Sequence, residues 1–196
     1  MRFEKVRSRQ YMKDFSSDAF YVECEGGTLT EVQVESVRLG TTKLQNRLPD
    51  MLGASILDIY DDIQTPKRAT RKSAGYDFFA PYSFTLYPGE SIKIATGIKV
   101  RLDHDKVLMI FPRSGHGFKA RVQLDNTCGI IDADYIESSN EGHIMLKLTN
   151  DSHSGKVINV TKGEGFAQGI ILQYYITEDD DSNKKRDGGL GSTNQR

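Results

Sequence analysis

Between residues 83 and 176 short apolar segments alternate with turn residues, and this pattern limits the possible folds more than any other feature of the chain. Where apolar and polar residues alternate, every second side chain lies on one face, as in a strand buried on one side. Ser83–Leu86, Ser91–Ile94 and Ile98–Leu102 read this way. Val107–Phe111, Ile144–Leu148, Val157–Val160 and Gly169–Ile176 continue the pattern. Turn chemistry separates them: Tyr87-Pro88-Gly89-Glu90 sets a proline before a glycine, and Leu102-Asp103-His104-Asp105-Lys106 is short and polar. Many short strands at this spacing predict an all-β barrel or jelly roll over residues 63–176.

The flanks follow other rules. Leu29, Val32, Val34, Val37 and Leu39 predict a strand. Leu44, Leu48, Leu52, Ile56, Ile59 and Ile63 are spaced by threes and fours, like one face of a helix that Pro49 is expected to kink or break. Residues 1–62 fall outside the alternating pattern, and 22–60 hold either an extra strand and helix packed on the barrel or an element that binds a protein partner. Beyond Ile176 the run Thr177-Glu178-Asp179-Asp180-Asp181 is too polar for a core, and the chain ends rich in glycine. Residues 177–196 are expected to form a flexible arm.

Composition narrows the function. The 196 residues can bury one substantial core. Against 27 acidic residues the chain carries 26 basic ones, a balance that argues against nucleic acid as a partner. Cys24 and Cys128 lie far apart in no ligand-like spacing, which fits a reducing cytosol better than a disulfide framework. No apolar run is long enough to span a membrane, and Met1-Arg2-Phe3-Glu4-Lys5 lacks the apolar core of a signal peptide. The expectation is a cytoplasmic protein with no membrane partner.

Polar islands carry the chemistry. In order they are Ala74-Gly75-Tyr76-Asp77, Pro112-Arg113-Ser114-Gly115, Gly129-Ile130-Ile131-Asp132 running on to Tyr135, Gly163-Glu164-Gly165-Phe166-Ala167-Gln168, and Gly188-Gly189-Leu190-Gly191-Ser192-Thr193. Each sets glycines, which let a backbone approach a ligand closely, beside groups that bind phosphate, metal or a base edge. On residue chemistry alone every island has a plainer reading too. Asp132 either caps a turn or, at the base of a tight hairpin, orients a water and takes its proton. Tyr135 is a core aromatic or a ligand-facing one, and Asn126 a turn amide or a base ligand. Arg113, Ser114 and Gly115 make a surface turn or a phosphate loop, and Lys67, Arg68, Arg71 and Lys72 read as a solvated loop.

The ordered set resembles the motifs of the trimeric dUTP pyrophosphatase (dUTPase) family over residues 63–194. That resemblance implies a jelly-roll-like distorted β-barrel, a homotrimer with sites at its interfaces, and hydrolysis of dUTP to dUMP and pyrophosphate. It also implies Mg²⁺ as cofactor. Asp132 then corresponds to the general base, and Tyr135 to the tyrosine under the deoxyribose, where a ribose 2′-hydroxyl is crowded. Asn126 and Gly129 fall on base recognition, Arg113, Ser114, Gly115 and Gln168 on phosphate binding, and Asp77 on the metal's outer shell through water. Arg186, Leu190, Gly191 and Ser192 fall on an arm that closes over the nucleotide.

The chain also departs from the family pattern, in which the first motif lies much nearer the start; by that resemblance residues 1–62 are an N-terminal extension and 22–60 an insertion within it. Gly165 stands where arginine is common, so one anchor is in question. Arg186 is one residue nearer its glycines than usual, which leaves Arg186 or Lys185 to meet the terminal phosphate. Leu190 replaces an aromatic that stacks on uracil, a loss of about 1 kcal/mol. After Tyr135 the usual Arg-Gly becomes the longer Ile136-Glu137-Ser138-Ser139-Asn140-Glu141-Gly142. Two rival readings remain: a dCTP deaminase-related enzyme of the same fold, using Glu137 or Glu141 on the pyrimidine ring, and a nucleotide-responsive regulatory binding protein.

Overall fold

Most of the expected strands form. The computed structural model describes residues 1–17, 22–24, 27–28, 56–183 and 186. The first five strands are β1 (Arg2–Lys5), β2 (Val22–Cys24), β3 (Gly27–Thr28), β4 (Lys67–Arg68) and β5 (Tyr76–Phe79). Next come β6 (Phe84–Leu86), β7 (Ser91–Ala95), β8 (Ile98–Arg101), β9 (Lys106–Pro112), β10 (Val122–Leu124) and β11 (Gly129–Ile131). The last are β12 (Met145–Asn150), β13 (Ile158–Val160) and β14 (Gly165–Gln173). Among the described residues three helices accompany them: α1 (Ser8–Ser17), α2 (Ile56–Asp61) and α3 (Ser114–Ala120). Among the described residues no helix is long and apolar enough to cross a membrane.

Two five-stranded sheets, ordered β10-β12-β7-β2-β3 and β11-β9-β14-β5-β4, are joined by the ribbons β1-β8 and β13-β6. The architecture is a jelly-roll β fold. Alternation is cleanest in β12, where Leu146, Leu148 and Asn150 are buried and Met145, Lys147 and Thr149 are less so. Ile92 and Ile94, Leu108 and Ile110, Leu146 and Leu148, and Phe78, Phe84 and Phe166 form one core drawn from both sheets. The Tyr87–Glu90 turn closes with the Glu90 N–H donating to Tyr87 O at 3.0 Å, and Gly89 takes φ +80°, the left-handed conformation a type II turn needs after proline.

Three elements differ from expectation. The last strand begins at Gly165 rather than Gly169 and ends at Gln173 rather than Ile176. Its start hides from pattern reading because Gly165, Phe166 and Ala167 are buried in succession, between β5 and β9. Helix α1 has no counterpart in the pattern reading, yet its Tyr11 and Phe15, one turn apart, are buried against Tyr60 and Tyr82. Of the long helical face expected from Leu44 to Ile63, Ile56–Asp61 is helical with Ile59 buried, while Leu44, Leu48, Pro49 and Leu52 lie outside the described residues, as do Leu29 to Leu39.

Candidate active site

One row across a sheet gathers the first group of candidates. Asp77 on β5 pairs in register with Gln168 on β14, which pairs with Phe111 on β9, and Lys67 on β4 sits opposite Asp77 from the other side. Opposed residues share a face, so the Asp77 carboxylate and the Gln168 carboxamide stand side by side. Gly75 makes this possible, because a Cβ there would lie 2.9 Å from Gln168 Oε1. Pro112 closes β9, and Arg113 follows in extended conformation at the start of α3. Its Nε lies 3.5 Å from Asp77 Oδ1, and its Nη1 donates to Gly165 O at 3.2 Å.

The glycine at 165 thus has a local reason. A Cβ there would come within 2.7 Å of Arg113 Nη1, so its absence gives the guanidinium its seat between β5 and β14. Ser114 and Gly115 begin α3 and are exposed, and a Cβ at Gly115 would meet nothing within 4 Å. A guanidinium, a hydroxyl and open backbone at one corner suit a phosphate.

The second group lies along β11. Gly129 starts this strand, packed against Ile110, and Asn126 is exposed in the turn before it. The hairpin expected here does not form: β10 pairs with β12 and β11 with β9, so the turn passes between the two sheets. After Ile131 the chain enters a 3₁₀ helix, Ala133–Glu137, with Asp132 at its N-cap position. Asp132 makes no capping hydrogen bond, which removes the plainer reading of this residue. Its exposed carboxylate lines a cleft of about 600 Å³ with Val107, Met109, Ile130 and Tyr174.

Tyr135, by contrast, is 6 % exposed. Its hydroxyl donates to His143 O at 3.1 Å and accepts from Asn140 Nδ2 at 3.0 Å. Burial pushes this hydroxyl above its usual pKa, against the opposing pull of Asn140 and Arg186. Arg186, the described residue of the arm's basic run, lies over the same place. Its guanidinium pairs with Asp132 and with Asp134, the latter at 2.9 Å, and stands 5.4 Å above the Tyr135 ring. Sequence reasoning missed Asp134 and Asn140, whose only signal was the polar run around Tyr135. Glu141 is engaged elsewhere, with Arg7 and with Lys99 at 3.6 Å. Leu190, Gly191, Ser192 and Lys185 lie outside the described residues.

The two groups do not meet within one chain. Ile131 pairs with Leu108, so Asp132 falls near the start of β9, whereas Arg113 follows its end. Six residues of strand separate the two levels, roughly 20 Å at about 3.3 Å per residue. Among the described residues no cluster of three or more His, Cys, Asp or Glu side chains could hold a metal by itself. Single carboxylates such as Asp77 fit an ion that keeps most of its water and binds chiefly to phosphate oxygens, as Mg²⁺ does.

A jelly roll with one phosphate-suited corner and, apart from it, an exposed carboxylate at the start of the turn that buries a tyrosine fits a nucleotide-handling β protein. The dUTPase family model matches residues 61–194, and the chain belongs to that family. It is similar to the deoxyuridine 5′-triphosphate nucleotidohydrolase of Lactococcus lactis, 37 % identical over 134 residues, spanning 67 % of this chain and 88 % of the relative. The enzyme of that name from Methylobacillus flagellatus is 32 % identical over 169 residues, covering 82 % of this chain and 99 % of its own. Among solved structures the dUTPase of Streptococcus mutans superposes with a TM-score of 0.52 at 29 % identity, over 60 % of this chain and 91 % of that one.

Proposed function

We propose that the chain hydrolyses dUTP to dUMP and pyrophosphate. The observation that carries the reading is Asp132: an exposed carboxylate, free of any capping bond, at the start of the 3₁₀ helix that holds buried Tyr135 and beside a cleft. Asp132 orients a water and accepts its proton as the oxygen attacks the α-phosphorus in line; the bond to the bridging oxygen breaks and pyrophosphate leaves. Arg113, Ser114, Gly115 and Gln168 hold the phosphates. Asn126 and the backbone at Gly129 recognise uracil, and Tyr135 lies under the deoxyribose. Mg²⁺, when bound, offsets phosphate charge, with Asp77 holding it through coordinated water.

Because Asp132 and Arg113 stand roughly 20 Å apart along β9, one chain cannot bring both to one phosphate group. A site built between copies resolves this, and a homotrimer is the assembly we infer. The outer face of the same sheet supports it. Ile170, Met109 and Ile130 form one row there, with Ile130 54 % exposed. Residues 63–176 are then the catalytic barrel of a cytoplasmic enzyme, 1–62 its extension, with 22–60 open to a protein partner, and 177–196 the closing arm. To meet a phosphate, Arg186 must leave Asp132, and nucleotide binding supplies that exchange.

The test is to incubate the protein with dUTP, dCTP and dTTP and measure pyrophosphate and ammonia. Pyrophosphate from dUTP without ammonia is the expected result. Ammonia from dCTP would establish the deaminase reading, and binding without turnover the regulatory one.

A further inference from the structure

The segment 136–142, longer than the family pattern, has no role in the reading above, yet it closes around Tyr135. Its chain doubles back: Glu141 and Gly142 take φ +60° and +72°, and a Cβ at Gly142 would lie 2.6 Å from Ile136 Cα and 3.0 Å from Tyr135 O. Only a glycine lets the backbone pass so close to the residue that follows Tyr135. Within the loop, Asn140 Nδ2 donates to the Tyr135 hydroxyl and to His143 O, the latter at 3.2 Å. Asn140 Oδ1 accepts the Gly142 N–H at 3.2 Å, which fixes the direction of the amide.

The far wall of this loop is equally fixed. His143 is fully buried, its Nε2 accepts the Gly97 N–H at 2.8 Å, and its Nδ1 lies 2.7 Å from Asp14 Oδ2 on α1. The carbonyl that receives the Tyr135 hydroxyl therefore belongs to a residue held from both sides.

We propose that Asn140 is a positioning residue for sugar discrimination, holding the Tyr135 phenol at its hydroxyl so that the ring cannot yield to a ribose 2′-hydroxyl. This rests on the reading of Tyr135 as the residue under the deoxyribose. Exclusion by crowding needs a wall that does not move, and a ring gripped only by packing can tilt about its side-chain bonds. Here both hydrogen-bonding capacities of the phenol are occupied, one of them by Asn140.

The experiment compares kcat/KM for dUTP and UTP in wild type, Tyr135→Ala, Asn140→Asp and Asn140→Ser, with Tm measured for each. Asn140→Asp keeps an acceptor for the Gly142 N–H and removes the donor to Tyr135. Asn140→Ser is too short to reach the phenol and serves if the aspartate variant is unstable. The expected result is a preference for dUTP over UTP that falls about tenfold in the Asn140 variants at near-native Tm, through a lower KM for UTP. An unchanged preference, or equal losses on both substrates, overturns the inference when Tyr135→Ala does relax selectivity. If Tyr135→Ala also leaves the preference intact, the sugar is sensed elsewhere and the reading of Tyr135 itself falls.

Discussion

At the scale of single residues, Asp132 shows how far local sequence reaches. Its setting after Gly129-Ile130-Ile131 marks a strand end, and an exposed carboxylate stands at that end. Asp132→Asn should keep nucleotide binding and lower turnover by about two orders of magnitude or more, the scale of a lost general base. Single-turnover hydrolysis of dUTP beside a binding titration checks this, and near-native turnover in a folded variant removes Asp132 from the mechanism. What the sequence did not disclose is the partner: Arg186 reaches Asp132 across 54 positions, and only the tertiary fold brings them together. The same holds for Arg113, whose seat on Gly165 O spans 52 positions. Asp77 and Gln168 were individually legible from their glycine-bearing islands, but their side-by-side placement depends on a strand register that no short motif encodes.

At the scale of elements, strands that alternate between turn residues, such as β12, were legible, whereas the start of β14, with Gly165, Phe166 and Ala167 buried in succession, was not. Helix α1 escaped notice because its apolar face is narrow, yet it is clamped to the loop after Tyr135 through carboxylates. Burial pushes the pKa of Asp14 up, but hydrogen bonds from His143 and Gln10 hold it below the usual value overall. Burial likewise opposes the hydrogen bonds and charge of Arg7 at Glu141, and again the net direction is down. A carboxylate whose pKa is lowered by folding contributes stability that is full above its unfolded value and lost as pH falls through its folded one. Tm should therefore drop on acidification below the ordinary carboxylate range, and Glu141→Gln should drop less steeply than wild type. Parallel slopes in thermal melts across that range would show that the clamp contributes nothing. The arm is the other element open to test. Beyond Gln173, Tyr174 is tied down by hydrogen bonds to Asp105 O and His104 O, while Tyr175 is 87 % exposed. If the arm closes over substrate as proposed, truncation after Ile176 should leave the fold and Tm intact but nearly abolish dUTP hydrolysis. Full activity in the truncated protein would return the phosphate-clamping role to Arg113.

At the scale of the whole molecule, the family resemblance grouped five islands, but it did not show that one chain keeps Asp132 and Arg113 apart. The islands' order along the chain is local information, whereas the separation of Asp132 and Arg113 follows from the pairing of β11 with the start of β9, while Arg113 follows its end. That separation gives the shared-site proposal its sharpest test. If each site draws its carboxylate from one copy and its phosphate loop from another, Asp132→Asn and Arg113→Ala disable different halves. Each homogeneous variant should be nearly inactive. Mixed by co-refolding in equal amounts, they should regain about a quarter of wild-type activity, because a site needs an intact Asp132 from one kind of chain and an intact Arg113 from the other, each drawn at about one chance in two. Pyrophosphate release from dUTP measures the recovery, and sedimentation of the mixture confirms that copies have exchanged. A mixed assembly no more active than its components would mean that a single chain supplies both groups, and that β9 must rearrange on binding nucleotide.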